Sequence, residues 1–225
     1  MAVALVTGGS RGLGRALVAG LVDRGWSVVT DARTAGDLAA VEGPGVVTVA
    51  GDVADAGHRR RLLEAADHLG GLDLLVNNAS VLGPSPQPHL ADYPLDVLRR
   101  VYEVNTVAPL ALVQEALPRL RRSTDGRIVN VTSDAAVEAY DGWGGYGSSK
   151  AALEQLSAVL AAEEPGVRVW AVDPGDLRTR MHQEAFPGED ISDRPEPETV
   201  VPALLELIDS DRPSGRLRLA EVAAS

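Results

Sequence analysis

Cysteine is absent from the sequence, which excludes disulfide bonds and thiolate metal sites and is in keeping with a reducing compartment. Basic residues are outnumbered, since 21 Lys and Arg stand against 32 Asp and Glu and give a formal net charge of −11. Duplex nucleic acids and anionic membranes repel a chain of this charge. We therefore expect neither a nucleic acid nor a membrane surface as a partner.

Long apolar runs are also missing. No stretch of about 18 consecutive apolar residues occurs, so no membrane-spanning helix is expected. The first residues, MAVALVTGG, lack the basic segment and the long apolar segment of a signal peptide, and this predicts a cytoplasmic protein. The histidines, which are His58, His68, His89 and His182, show no ligand spacing, so no metal site is expected.

Lysine is almost absent. Of the 21 basic residues, 20 are arginine and only Lys150 is lysine. Lysine carries a compact ammonium on a thin stem, whereas arginine carries a wide planar fork. A single lysine in a chain that otherwise uses arginine indicates a position that arginine does not serve.

The pattern that is present is an alternation of short Val-, Leu- and Ile-rich runs with helix-like stretches. It predicts one doubly wound α/β domain over 1–225, with a parallel sheet covered on both faces. Pro109 is expected to kink the longest helix or to start a new turn there. The predicted strands are 2–6, 27–30, 46–50, 72–76, 127–131, 167–172 and 216–219, and the predicted helices are 13–24, 56–68, 95–121, 146–164 and 198–209.

Two proline-rich or polar segments, 80–94 and 176–197, fit neither pattern. Both follow predicted strand ends. Ligands of open α/β sheets bind outside the carboxyl ends of the strands, so these segments are expected to form the walls of a pocket. We expect 176–197 to be the lid over the substrate.

A glycine-rich loop, residues 7–14 with the sequence TGGSRGLG, lies between the first predicted strand and the first predicted helix. Glycines in this position allow a tight turn and the close approach of a pyrophosphate, and the helix N-terminus offers free N–H groups to the anion. A glycine-rich loop alone is a weak signal, but its place between strand and helix strengthens it.

Tyr146 and the single lysine, Lys150, are four residues apart on a predicted helix. Residues at this spacing lie on one face, so the phenol and the ammonium point the same way. A tyrosine titrates near pH 10, and a neighbouring cation favours the phenolate and lowers that pKa. The pair therefore predicts a phenol that exchanges protons in catalysis.

Other polar motifs stand at the ends of predicted strands. Asp52-Val53 follows the third strand, the run 77–80 (NNAS) ends the fourth, Ser133 ends the fifth, and 173–179 (DPGDLRT) ends the sixth. Asn105 lies inside a predicted helix, where asparagine is a poor helix former. Each has an ordinary explanation when taken alone: Asp52 as a helix N-cap, for example, or Asn105 as a hydrogen-bonded core residue.

Taken together and in this order over about residues 2–219, the motifs resemble those of the short-chain dehydrogenase/reductase family with its TGxxxGxG and YxxxK signatures. The chain departs from the family pattern at Ser80, where glycine is usual, and mildly at Asp173, where asparagine is frequent. The resemblance implies a Rossmann-type sheet of seven strands in the order 3-2-1-4-5-6-7. It also implies reversible hydride transfer between a nicotinamide and a carbonyl or secondary alcohol, with ketone or aldehyde reduction as the expected direction.

The resemblance also assigns roles to residues. Tyr146 would be the general acid in reduction and the general base in oxidation, and Lys150 would lower its pKa and bind the nicotinamide ribose. Ser133 would donate a hydrogen bond to the substrate oxygen, and Asn105 would hold a water that restores the proton. The expected cofactor-binding residues are Gly8, Ser10, Arg11, Gly12, Leu13, Gly14, Asp31, Arg33, Asp52, Val53, Asn78, Ala79, Tyr146, Lys150, Pro174, Gly175, Leu177 and Thr179.

The second predicted strand bears on the choice of cofactor. Alignment on Gly25 places Ala32 at the position of the acid that selects NAD(H) in the family, and Arg33 at the position of the arginine that binds the 2′-phosphate of NADP(H). Arg11 is a second cation within reach. These residues favour NADP(H), whereas a shift of one residue would bring Asp31 to the ribose and favour NAD(H).

The substrate pocket and the assembly are less defined. The candidate pocket residues are Asp134, Tyr140, Trp143, His182 and Phe186. Trp143 either stacks on a flat substrate or packs under the loop. The predicted helix 146–164 is apolar on both sides, which indicates burial on both sides. Together with the resemblance, this predicts a homodimer through the helices 95–121 and 146–164.

Two other functions fit parts of the pattern. A non-catalytic NADP(H)-binding sensor or scaffold would use the same fold, but it would not need the whole set of Ser133, Tyr146, Lys150 and Asn105. The longer branch of the family, which epimerises or dehydrates sugars, usually has TGxxGxxG and a larger C-terminal region, and both are missing here.

Overall fold

The computed structural model describes residues 1–222. Its sheet has seven parallel strands in the order 3-2-1-4-5-6-7, which confirms the predicted fold class. The Val-, Leu- and Ile-rich runs account for the strands, because both faces of the sheet are covered. The strands are β1 (Val3–Val6), β2 (Ser27–Ala32), β3 (Val46–Ala50), β4 (Leu74–Asn77), β5 (Arg127–Val131), β6 (Arg168–Asp173) and β7 (Gly215–Arg218).

Helices lie on both faces of the sheet. Within residues 1–222, none of them is long and apolar enough to cross a membrane. The helices are α1 (Gly12–Asp23), α2 (Ala35–Leu38), α3 (Ala56–His68), α4 (Leu95–Tyr102), α5 (Ala108–Leu120), α6 (Gly144–Glu163), α7 (Arg180–Ala185), α8 (Val201–Asp209) and α9 (Leu219–Val222).

Two apolar cores follow from this arrangement, one on each face. On one face, α1 and α8 pack on the sheet through residues such as Leu17, Leu204 and the fully buried Trp170. On the other face, α3 and α5 contribute Leu62 and Leu112. Successive side chains of a strand point to opposite faces, so the strands β1 to β6 supply both cores.

The long predicted helix 95–121 is interrupted. Between α4 and α5 lies one π-helical turn, Glu103–Val107, and Pro109 stands in the first turn of α5. Proline has no N–H to donate to the carbonyl four residues earlier, which here belongs to Asn105. The expected new helical segment therefore begins at Ala108, next to Pro109, and the irregular turn before it contains Asn105. Such turns occur often at functional sites.

The other differences between the predicted and the observed helices are small. Helix α6 begins at Gly144, two residues before Tyr146, and α8 is preceded by a 3-10 turn, Pro197–Val200. The helices α2 and α7 have four and six residues, which is too short for a helical period to show in the sequence. Helix α7 lies inside the predicted lid segment 176–197.

Candidate active site

A cavity of about 910 Å³ opens at the carboxyl ends of the strands. Segments that follow β1, β2, β3, β4, β5 and β6 line it, together with part of the segment 176–197. This is the position in which open α/β sheets bind ligands. The predicted pocket walls and lid therefore lie around one cavity.

The glycine loop forms one end of the cavity. Gly8 has a φ of +69°, which glycine adopts without strain, and Gly14 packs so closely that a Cβ there would lie 2.4 Å from the Gly8 carbonyl oxygen. Among the described residues, α1 has no side-chain cap and no acidic residue in its first turn. The N–H groups of that turn are therefore available to a bound anion, as a pyrophosphate requires.

Asp31, at the end of β2, is turned into the protein rather than towards a ribose. Its side chain is 2% exposed, Oδ1 accepts a hydrogen bond from the Gly8 N–H at 2.6 Å, and Oδ2 lies 2.7 Å from His58 Nε2. Asp31 still contributes to the cavity lining. One carboxylate oxygen thus holds the glycine loop on β2 and the other pairs with His58 of α3, a role that the place of Asp31 at a strand end did not indicate.

Two arginines face the same region from the surface. Arg33 and Arg11 are exposed and line the cavity, and Arg11 lies 3.6 Å from Asp37 in an exposed ion pair. Asp52 lines the cavity beside them and pairs with Arg100. Burial raises the pKa of Asp52, but the Ala54 N–H and Arg100 outweigh it and leave this pKa below its ordinary value.

Tyr146 and Lys150 lie side by side on α6, as their spacing predicts. Both are buried, and Lys150 Nζ lies 5.6 Å from the centre of the Tyr146 ring and donates a hydrogen bond to the Val131 carbonyl at 2.8 Å. Burial lowers the pKa of Lys150 to about 8, because the charged form is removed from water.

Burial has the opposite effect on the phenol. It raises the pKa of Tyr146 above its ordinary value, Asp173 and Asp134 raise it further, and a hydrogen bond from the Ser80 side chain lowers it. The sequence predicted a pKa lowered by Lys150. In the structure, desolvation of the phenol dominates, and Lys150 lies over the ring rather than at the hydroxyl.

Ser133 stands on the cavity wall at the end of β5. Its hydroxyl donates to Asp134 Oδ1 at 2.9 Å and accepts a hydrogen bond from the Ala135 N–H at 3.2 Å. Ser133 also caps the 3-10 turn Asp134–Ala136, which holds its side chain in place. The structure brings Ser133, Tyr146 and Lys150 to one cavity.

Asn105 lies behind the cavity wall in the π-helical turn and is completely buried. Its amide makes four hydrogen bonds: Oδ1 accepts from the Val81 N–H and Ser80 Oγ, and Nδ2 donates to the Val81 carbonyl and Ser149 Oγ. These bonds use both N–H donors of the amide and give its oxygen two donors, and the role of Asn105 in holding a water stays a prediction. Asn105 fixes the segment after β4 to α6.

Sequence reasoning noted Ser80 only as a departure from a motif and did not single out Ser149. Ser149 Oγ donates to the Tyr146 carbonyl at 2.6 Å and accepts from Asn105. The signal was available for Ser80, because a hydroxyl in place of a glycine beside a cofactor site needs a partner. No comparable signal marked Ser149.

The candidate substrate residues form two layers. Asp134, Trp143 and His182 line the cavity. Tyr140 and Phe186 lie behind them, with ring centres 6.4 and 5.9 Å from that of Trp143. Trp143 thus packs between aromatic rings. Its ring centre also lies 5.8 Å from that of Tyr146, and the two rings are in an edge-to-face arrangement.

The turn after β6 completes the cavity. Pro174, Gly175, Leu177 and Thr179 line it, as predicted. Asp173 is buried and accepts a hydrogen bond from the Gly175 N–H at 3.0 Å, which shapes the turn. Within the part of the chain that the structure describes, no group of three His, Asp or Glu side chains is placed to hold a metal ion.

These features fit a nicotinamide dinucleotide. The uncapped α1 and the glycine loop suit its pyrophosphate, Asp52 and Val53 would contact the adenosine half, and Tyr146, Lys150 and the turn 174–179 would contact the nicotinamide half. The cavity volume of about 910 Å³, with a lining that includes both Arg33 and Tyr146, leaves room for a ligand of this size.

Comparison with known proteins agrees with this geometry. The family profile described as short chain dehydrogenase matches residues 2–190. The rhamnolipid biosynthesis 3-oxoacyl-[acyl-carrier-protein] reductase of Pseudomonas aeruginosa is 36% identical over 200 residues, which cover 80% of this chain and 74% of that protein. An NADPH-dependent aldehyde reductase-like chloroplastic protein of Arabidopsis thaliana is 30% identical, with 96% of this chain and 82% of that protein covered.

Solved structures agree as well. The crystal structure of a short chain dehydrogenase/reductase from Saccharomyces cerevisiae has a TM-score of 0.89 and 28% identity, and covers 100% of this chain and 99% of its own. The motifs, the sheet order and the family match all point to one assignment. The chain belongs to the short chain dehydrogenase family and is an oxidoreductase that acts on CH–OH or C=O groups.

Proposed function

We propose that this protein is an NADP(H)-dependent carbonyl reductase that transfers hydride reversibly between the nicotinamide and a ketone, an aldehyde or the corresponding alcohol. The observation that carries the proposal is the convergence of Ser133, Tyr146 and Lys150 on one cavity whose far end is an uncapped helix N-terminus. Reduction is the direction we propose, with the Tyr146 phenol as the general acid.

Each of Ser133, Tyr146 and Lys150 would have its own role in the reaction. The cofactor, when bound, supplies or accepts the hydride. Ser133 turns its hydroxyl proton from Asp134 Oδ1 to the carbonyl oxygen and stabilises the negative charge that develops there. Tyr146 delivers its phenolic proton to the same oxygen and becomes a phenolate. Lys150, whose ammonium lies over the Tyr146 ring, stabilises that phenolate and binds the nicotinamide ribose.

The preference for NADP(H) is supported by the charges at the adenosine end. The Asp31 carboxylate is 2% exposed and is held by Gly8 and His58, so its burial and these bonds turn it away from the role of a ribose acceptor. Arg33 and Arg11 are exposed at this end and can pair with a 2′-phosphate. The name of the Arabidopsis relative, which specifies NADPH, agrees with this preference.

Cofactor titrations of Arg33→Ala test the preference. We expect the dissociation constant for NADPH to rise about tenfold or more and that for NADH to change little, because only NADPH carries the 2′-phosphate. The matched control is Arg99→Ala, an exposed arginine outside the cavity lining. An equal rise in the dissociation constants of both cofactors would contradict the preference for NADP(H).

The segment 176–197 is proposed as the substrate lid of a single domain that spans the chain. Met181, His182 and Ala185 face the cavity from α7, and the lid is tied to the opposite wall by a hydrogen bond from Ser85 Oγ to the Glu184 carbonyl at 2.6 Å. The lid and Trp143 give the substrate end a mixed lining, in which Trp143, Met181 and Ala185 stand beside the charged Arg180 and Glu184. This lining suits a carbonyl compound and favours no particular charge on it.

A homodimer through α4, α5 and α6 is also proposed. Leu95, Val107 and Val159 leave 62%, 48% and 43% of their surfaces exposed on α4, the π-helical turn and α6. These elements are neighbours, since α4 and the π-helical turn both pack on α6. A second copy of the same face would cover the exposed aliphatic groups and release water from them.

A further inference from the structure

His58 is a completely buried histidine that has no role in the proposed reaction. It lies in the first turn of α3, where its backbone N–H donates to Asp55 Oδ1 at 2.6 Å. A Cβ on Gly51 would lie 2.2 Å from His58 Nδ1, so the ring packs directly against the backbone that follows β3. The imidazole therefore lies next to the segment that leads to Asp52, which lines the cavity.

The ring forms a short hydrogen bond with Asp31. Nε2 lies 2.7 Å from Asp31 Oδ2, and the two side chains are 0% and 2% exposed. Nδ1 lies 3.5 Å from a guanidinium nitrogen of Arg61, which can only donate, so Nδ1 is the acceptor and Nε2 carries the proton. His58 is therefore the donor to Oδ2 of a buried carboxylate.

Asp31 depends on this donor for its inward position. Its Oδ1 accepts from the Gly8 N–H at 2.6 Å, and within residues 1–222 the side chain that donates to Oδ2 is that of His58. A carboxylate oxygen that is buried without a donor is costly. Asp31 also borders the cavity, so a rotation of its side chain offers the carboxylate a way out of the interior.

We propose that His58 is a positioning residue that sets the cofactor preference, because its hydrogen bond keeps the Asp31 carboxylate inside the protein and away from the ribose. The inference rests on the proposed preference for NADP(H). Without the imidazole, the carboxylate turns to the cavity. There it accepts a hydrogen bond from the ribose 2′-OH of NADH and repels the 2′-phosphate of NADPH.

The same rotation would weaken the proposed phosphate site. Arg33 and Arg11 line the cavity that Asp31 borders, and they are the cations proposed for the 2′-phosphate. A carboxylate that enters the cavity competes with the phosphate for them. Arg11 already lies 3.6 Å from Asp37, so a second carboxylate would leave still less positive charge for NADPH.

The experiment titrates the natural chain, His58→Leu and His58→Gln with NADPH and with NADH, followed by nicotinamide fluorescence and without substrate. Leucine occupies the buried site but has no donor. Glutamine carries an amide N–H at about the position of Nε2 and can donate to Asp31. The matched control is His68→Leu, the same substitution at an exposed position of the same helix, outside the cavity lining.

The quantity compared is the ratio of the dissociation constant of NADH to that of NADPH. We expect this ratio to fall about tenfold or more in His58→Leu, since NADH gains a hydrogen bond to a charged acceptor and NADPH gains a repulsion. His58→Gln should keep most of the natural ratio, and His68→Leu should leave it unchanged. The double variant Asp31→Ala/His58→Leu should have the ratio of Asp31→Ala alone, because the carboxylate that moves is absent.

A purely structural role of His58 gives a different pattern. It would weaken both cofactors by the same factor in His58→Leu and leave the ratio in place, and this result would overturn the inference. A fall in the ratio that persisted in the double variant would overturn it too, since Asp31 would not be the cause. Thermal melting checks that each variant folds. If His58→Leu does not fold, His58→Asn takes its place with the same expected ratio, because its shorter amide does not reach Asp31.

The inference and the proposed function fail in different ways. If the natural chain bound NADH as tightly as NADPH, the proposed preference would be wrong, and a ratio that still fell in His58→Leu, only with Asp31 present, would support the role of His58. If the natural chain preferred NADPH and His58→Leu kept its ratio, only the role of His58 would be wrong. The proposed reaction is tested separately, by the turnover of Tyr146→Phe.

Discussion

Replacement of Asp31 by alanine separates a structural role from a cofactor-selecting one. The carboxylate accepts from the Gly8 N–H at 2.6 Å and lies 2.7 Å from the fully buried His58 Nε2. The other ring nitrogen of His58 lies 3.5 Å from Arg61, which can only donate, so Nε2 carries the proton that Asp31 accepts. Asp31→Ala would leave two donors without an acceptor beneath the glycine loop.

The expected cost follows from those two donors. Each buried donor left without a partner costs about 1–3 kcal/mol, and Gly8 is only partly buried, so we expect a loss of about 3 kcal/mol. For a chain of this size that lowers the melting temperature by about 6–12 °C. Asp31→Asn keeps one oxygen that can accept from the Gly8 N–H, so it should lower the free energy of unfolding by less than Asp31→Ala does. Asp23→Ala, an exposed aspartate outside the cavity lining, is the matched control.

The assay pairs thermal melting with titrations of NADPH and NADH. Because Asp31 holds the glycine loop, we expect Asp31→Ala to weaken both cofactors by a similar factor. An acid that selects the ribose would behave otherwise: its removal would weaken NADH alone and improve NADPH. That second pattern, with an unchanged melting temperature, would refute the structural role.

The remaining predictions concern the buried lysine and the proposed dimer. Burial lowers the pKa of Lys150 from 10.5 to about 8, so the cost of burying its charge is fully present at pH 7 and disappears as the pH rises from 8 towards 10.5. Lys150→Met should therefore abolish turnover yet raise the melting temperature at pH 7, with a smaller gain at pH 10; a lower melting temperature at pH 7 would contradict this. Val159→Glu should halve the mass measured by light scattering, whereas the exposed Ala40→Glu should not, and an unchanged mass in Val159→Glu would count against the dimer face.

Local spacing was enough to predict the parts of the site that depend on one element. Tyr146 and Lys150 share a helix, and the i, i+4 rule holds wherever that helix packs. The glycine loop joins β1 to α1, so its place at the strand end follows from the chain itself. The strand order was implied by the family resemblance and is confirmed.

Contacts between distant segments could not be predicted in the same way. Asp31 turns inward because His58, on α3, lies beneath it, and no local pattern links these two residues. The pKa of Tyr146 depends on how deeply α6 is buried and on Ser80 from the far wall of the cavity. The sequence showed only the neighbouring cation, so it indicated the wrong direction for this pKa.

The irregular turn at Asn105 is an intermediate case. Proline at position 109 indicated a break in the long helix, and the break is present. The number of hydrogen bonds that Asn105 makes, and their partners in Val81 and Ser149, depend on how α4 and α6 pack. The residue was found from the sequence, but its partners required the structure.

The most direct test of the central claim is the consumption of NADPH, followed by its absorbance, with a panel of aldehydes, aryl ketones, cyclic ketones and β-keto esters. The account predicts that at least one class is reduced, that NADPH is used in preference to NADH, and that Tyr146→Phe loses turnover by about 100-fold or more while it still binds NADPH. Substrate-dependent oxidation of NADPH that survives in Tyr146→Phe would contradict the account.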